Sequence, residues 1–143
     1  MDEGIIQLFP RLITYNEELN MKVNYKELFK EEIEPGVFRI WIFNEKNGCE
    51  NFFMRIFEIL PGKETKEDSH PYEHEIFILQ GKGEVKIGDK LDEIEEEDAL
   101  FIPPNYTHKV KNTGDSILRF ICLVPSSYRR YKGERREDYT KRS

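Results

Sequence analysis

From Val37 onward the apolar residues fall in short runs rich in β-branched and aromatic types, at 37–43, 52–60, 75–80, 84–87, 99–102, 107–111 and 117–124. Segments of this length and composition read as strands, because a globular helix needs a longer stretch to build an apolar face. Each run is closed by residues that favour reversal of the chain: Asn47-Gly48, Pro61-Gly62, Gly81-Lys82-Gly83, Gly88-Asp89, Pro103-Pro104-Asn105 and Thr113-Gly114-Asp115. Many short strands with close turns predict an all-β sandwich or barrel.

The 143 residues suit one such domain, long enough to bury a sizeable core. We read residues 36–126 as the barrel, 1–35 as an N-terminal extension and 127–143 as a basic, flexible tail. Asn24 to Ile33 has the composition of a short helix behind an Asn cap. Ile5, Ile6, Leu8 and Phe9 form an apolar cluster that needs cover, which predicts a homodimer contact or packing on the barrel itself.

Charge narrows the partners. The net charge is −6, but residues 129–143 carry an excess of Lys and Arg, including Arg129, Arg130, Lys132, Arg135 and Arg136, so the rest of the chain is more acidic still. An acidic body repels nucleic acid, and the basic tail is read as a solvated terminus. There is no run of some 18 apolar residues and no basic-then-apolar leader, so a cytoplasmic protein without a membrane span is expected. Cys49 and Cys122 stand far apart and outside any CxxC pair, as free thiols of a reducing compartment do. A charged fraction of 35%, with Gln only at positions 7 and 80, matches the composition of heat-adapted proteins.

The chain has three histidines, and two of them lie in the segment from Asp68 to Glu75, immediately before the run at 76–79. On an extended strand alternate side chains share a face, so Asp68, His70 and His74 can point the same way if Pro71-Tyr72 keeps the register. His108 follows the turn at 103–105 and can return to the same place on another strand. Imidazole and carboxylate are ordinary ligands of divalent metals. A histidine on a strand is also commonly a surface or hydrogen-bonded core residue, and spacing alone leaves both readings open.

Two longer patterns carry a resemblance. Gly62, Asp68, His70, His74 and Gly81 occupy the positions of the first motif of the cupin superfamily, and Glu97, Pro103, Asn105, His108 and Asn112 those of the second. The stretches NFFMRIFEILPG (51–62), DSHPYEHEIFILQGKGEV (68–85), FIPPNYTHKVKNTG (101–114) and LRFICLVP (118–125) are similar to a subgroup of small single-domain cupins. The resemblance implies a double-stranded β-helix, or jelly-roll, barrel holding one divalent metal ion. Its ligands would be Asp68, His70, His74 and His108, with Asp68 where relatives have a fourth histidine. A carboxylate there favours Fe, Mn or Zn over Cu(I). Glu97 and Asn105 stand where the second motif has glycine; Asn tolerates the left-handed backbone, whereas Glu97 predicts a locally different turn.

In function the resemblance implies a dioxygenase-like metalloenzyme, or an isomerase, acting on a small molecule in the barrel. A non-catalytic small-molecule binding or sensing module is the alternative, because one fold hosts both. Glu73 and Glu75 have the opposite parity to His74 and are expected to face away. Arg55 is ambiguous: pointing inward it can hold a substrate carboxylate bidentately, and pointing outward it is a surface cation.

Overall fold

The fold is that of a computed structural model, which describes residues 21–131. Nine strands are present among them: β1 (Glu31–Glu34), β2 (Val37–Phe43), β3 (Phe52–Ile59), β4 (His74–Gln80), β5 (Lys82–Ile87), β6 (Lys90–Glu95), β7 (Ala99–Ile102), β8 (His108–Asn112) and β9 (Leu118–Pro125). They form a six-stranded sheet in the order β1-β2-β3-β9-β4-β7 and a three-stranded sheet in the order β6-β5-β8. All pairings are antiparallel. The apolar residues alternate because only one face of each sheet can be dry, and Ile76, Ile78, Val85, Ile94, Val110, Leu118 and Phe120 meet in a core drawn from both sheets.

The expected strands are all found, and two more appear. β6 (KLDEIE) carries a single buried residue, Ile94, and so lacks an apolar pattern to announce it. β1 lies within the segment expected to be helical. Asn24 does cap a turn, its side chain accepting from the Lys26 N–H at 2.9 Å, but that turn is a 3-10 turn over Tyr25–Glu27. Pro35-Gly36 then reverses the chain, and Gly36 takes φ 76° so that β1 pairs β2. The sheet therefore begins at residue 31, ahead of the expected boundary at 36. The cluster of Ile5, Ile6, Leu8 and Phe9 lies outside the described residues, as do 132–143.

The start of the expected tail is ordered. A turn of helix, α1 (Tyr128–Tyr131), packs on the barrel, with Tyr128 buried beside Phe53, Tyr72 and Val124. Arg129 is buried too, its guanidinium making a two-pronged ion pair with Glu45 at 2.9 Å and 2.9 Å. Such fork geometry locks a planar guanidinium to a carboxylate.

Glu97 corrects another expectation. It adopts φ 75°, close to the 69° of Asn105, so the turn between β6 and β7 keeps the left-handed conformation of a glycine despite the side chain. The Glu97 N–H donates to the Ile78 carbonyl at 3.0 Å, which ties the turn to β4. Holding a non-glycine residue there costs on the order of 1 kcal/mol, offset by that anchoring.

Candidate metal centre

Three elements converge at one end of the barrel. Between Gly62 and Asp68 the chain runs alongside β8, with hydrogen bonds from Thr65 N–H to the Val110 carbonyl and a reciprocal pair between Asp68 and His108 at 3.1 and 2.9 Å. His70 and a bend at Pro71-Tyr72 follow. β4 then opens on His74, and burial alternates along it, with His74, Ile76 and Ile78 inward and Glu75, Phe77 and Leu79 outward. β8 opens on His108.

The histidine nitrogens that could ligate a metal all lie within 4.8 Å of one another. The Nε2 atoms of His70 and His74 are 3.1 Å apart. The opposite nitrogens are committed: His70 Nδ1 donates to the Tyr72 carbonyl at 2.8 Å, and His108 Nδ1 to the Tyr106 carbonyl at 3.0 Å. A carbonyl only accepts, so in a neutral ring each of these Nδ1 atoms carries the hydrogen and each Nε2 a lone pair. His74 hydrogen-bonds the backbone of Leu123. Lone pairs directed at a common centre repel one another unless a cation lies between them, and backbone-fixed tautomers are the usual support of metal-bound histidines. The residues present therefore fit a divalent ion.

Electrostatics keeps His74 neutral. Burial, then the Arg55 guanidinium, then the two other imidazoles push the His74 pKa down to about 2, so the ring stays unprotonated across the physiological range. Tyr72, stacked on His70 at 3.8 Å between ring centroids, is pushed up to about 12, chiefly by burial, and stays a phenol. Burial likewise raises the Cys122 thiol.

Of the four residues expected to meet here, the structure brings the three histidines together and sets Asp68 beside them. Asp68 is exposed, and its Oδ1 accepts from the Ser69 N–H at 2.8 Å. Directly opposed residues of an antiparallel pair project to the same face, so its bridge to His108 turns it to the histidine side, and it lines the same cavity. Glu75 faces outward, as parity requires.

The cavity measures about 440 Å³ and is lined by the three histidines together with Arg39, Arg55, Phe57, Tyr72, Phe120, Cys122 and Tyr128, among others. That size suits a small organic molecule. Arg55 is thus resolved as inward. Its parity with Phe53 and Ile59 carries that signal, but Met54 and Ile56 make the other face of β3 apolar too, which is why the sequence leaves it ambiguous.

Comparison with known proteins agrees with this architecture. The Cupin_2 (cupin domain) family matches residues 55–124. The solved structure of a cupin-2 domain protein from Rhodospirillum rubrum is 30% identical, covering 69% of this chain and 67% of that one at a TM-score of 0.60. The polyketide cyclase RemF of Streptomyces resistomycificus, 22% identical over 73% of this chain and 78% of its own, superposes with a TM-score of 0.69 and shares the fold. The mannose-1-phosphate guanylyltransferase RfbM of Salmonella typhimurium is 29% identical over 110 residues, 76% of this chain but 22% of that enzyme. The chain spans between about a fifth and two thirds of the length of three curated relatives it matches. It belongs to the cupin superfamily. No helix among the described residues is long and apolar enough to cross a membrane.

Proposed function

We propose that this cupin holds one divalent metal ion, Fe, Mn or Zn, on His70, His74 and His108 with Asp68 as a fourth ligand, and acts as a dioxygenase-like enzyme on a small molecule bound in the barrel. The observation that carries the reading is the set of imidazoles whose free nitrogens face one point while backbone carbonyls hold the others. Such an ion supplies Lewis acidity or redox chemistry, and a site with few protein ligands leaves room for substrate. The chain's own residues orient the imidazoles, keep His74 neutral and enclose the ligand between Phe57, Phe120 and Tyr128.

Elemental analysis after chelation and reconstitution tests the site, and O₂ uptake by the Fe(II)-loaded protein across small acids, thiols and phenols tests the chemistry. About one equivalent of metal is expected in wild type. Asp68→Ala is expected to weaken metal affinity about 10-fold or more with the fold intact. Unchanged affinity in that variant would remove Asp68 from the ligand set. Full metal loading with no O₂ uptake, but saturable binding of a compound from the panel, would favour the non-catalytic binding or sensing role.

We further propose a homodimer formed through the outer face of the six-stranded sheet. Phe77 and Phe101 are 43% and 53% exposed there, and register places Ile121 and Leu123 of β9 on the same face. A largely apolar face of this kind, with the exposed Glu75 between Phe101 and Leu123, suits an isologous contact between two copies. Light scattering should give about twice the 17.1 kDa chain mass, and a monomer would remove the proposal.

A further inference from the structure

Among the described residues, Arg55 is the buried arginine that folding leaves without a counterion. Arg39 pairs with Glu31 at 3.0 Å, Arg119 with Glu58 at 2.7 Å and Arg129 with Glu45 at 2.9 Å. Arg55 is only 6% exposed, more buried than Arg119 or Arg129, yet no carboxylate among the described residues pairs with it. Its Nη2 reaches the Cys122 sulfur at 3.0 Å and lies 3.4 Å from His74 Nδ1, both uncharged partners, while its buried Nε has no hydrogen-bond partner. The rings of Phe57, Trp41 and Tyr128, 5.0, 5.6 and 6.0 Å from its guanidinium carbon, offer it aromatic faces but no negative charge.

A buried, uncompensated guanidinium is costly, and an anion brought in from outside would offset that cost. Arg55 lines the cavity of the three histidines and sits one imidazole, that of His74, away from their converging nitrogens. We propose that Arg55 is the receptor for the carboxylate of a small organic acid, whose second oxygen donor meets the histidine cluster. The inference rests on the metal-site reading for the second contact only. A planar carboxylate matches the guanidinium fork, and its negative charge neutralises the buried positive charge of Arg55. The aromatic walls and the single His74 spacing select a short acid with its donor close to the carboxylate, as in an α-hydroxy acid. Arg55 then sets substrate class, and its loss acts on binding.

The chain has one tryptophan, and it lies against Arg55, so Trp41 fluorescence reports this site with or without metal. Glycolate, its neutral counterpart glycolamide, and inorganic phosphate are titrated into chelator-treated and Zn-loaded protein, following fluorescence and heat. Glycolate is expected to saturate both forms and to bind at least 10-fold tighter when Zn is present, with glycolamide silent in the chelated form. Arg55→Met should weaken glycolate at least 30-fold while taking up the same equivalent of Zn and melting as a folded protein. Arg55→Lys should recover part of the affinity, because it restores charge without the fork. Glycolate binding unchanged in Arg55→Met, no saturable glycolate binding in any form, or Arg55-dependent binding of phosphate in preference to glycolate would each overturn the proposal. Arg55-dependent glycolate binding in a protein that takes up no metal would instead leave this inference standing and remove the metal reading.

Discussion

His74→Ala is expected to drop bound metal from about one equivalent to a small fraction and to abolish the rise in melting temperature that metal gives the wild type. His74 holds the first position of β4, is 7% exposed and brings its Nε2 to 3.1 Å from that of His70. No other described histidine remains to replace it beyond His70 and His108, so the ion keeps two imidazoles. Loss of a direct ligand exceeds the 10- to 100-fold penalty typical of losing only a supporting hydrogen bond. A ligand present at about 100 times its dissociation constant stabilises the folded state by ~2.7 kcal/mol, and for a domain of this size that is a shift of several degrees. Calorimetric melts with and without Zn, beside elemental analysis, read both effects. The apo forms of wild type and variant should melt within a few degrees of each other, because the fold assembles its core elsewhere. Retention of a full equivalent by His74→Ala, with its melting shift intact, would place the ion away from this cluster.

The barrel and the gathering of three histidines are legible in the sequence because those features depend on local rules. Strand periodicity marks a residue's face, and the turns after Gly62, Gly81 and Pro103-Pro104 return strands to common ends. The missed strands show where local rules stop. β6 is held by its pairing with β5 across six register positions, with polar side chains facing solvent, so its identity comes from its partner and not from its own pattern. β1 follows the same logic beside β2. Glu97 adopts a glycine-like turn because the surrounding hydrogen bonds fix it, and a propensity scale sees only the side chain. Arg55 required knowing which of two apolar faces of β3 is the inner one, and that is decided by β9 and β4. Parity alone allows Asp68 to share the histidine face, its backbone bridge to His108 turns it that way, and its carboxylate stands outside the gathered imidazoles.

Gly83→Ala is expected to be among the most damaging small substitutions in the chain, about 3 kcal/mol or on the order of 10 °C in melting temperature. Gly83 lies in β5 opposite Asn112 of β8, and a Cβ there would run into the Lys111 backbone carbonyl and then the Leu118 side chain at 3.0 Å. A carbonyl within a paired strand cannot rotate away as a flexible side chain can, so the two strands must part. Asn112 multiplies the cost. It is fully buried, and its amide donates to the Ile59 and Ser116 carbonyls at 2.7 and 2.8 Å while its oxygen accepts from the Gly114 N–H at 2.8 Å. Shifting β8 strains all three bonds, each worth on the order of 1 kcal/mol. The same strand starts at His108, so metal affinity should fall together with stability. Gly62→Ala is the matched control: φ is +79° there, but a Cβ meets nothing within 4 Å, and only the conformational penalty of about 1 kcal/mol applies. Urea unfolding of both apo variants separates steric from conformational cost, and Gly83→Ala proving no less stable than Gly62→Ala would contradict the close approach of β5 and β8 on which the position of His108 depends.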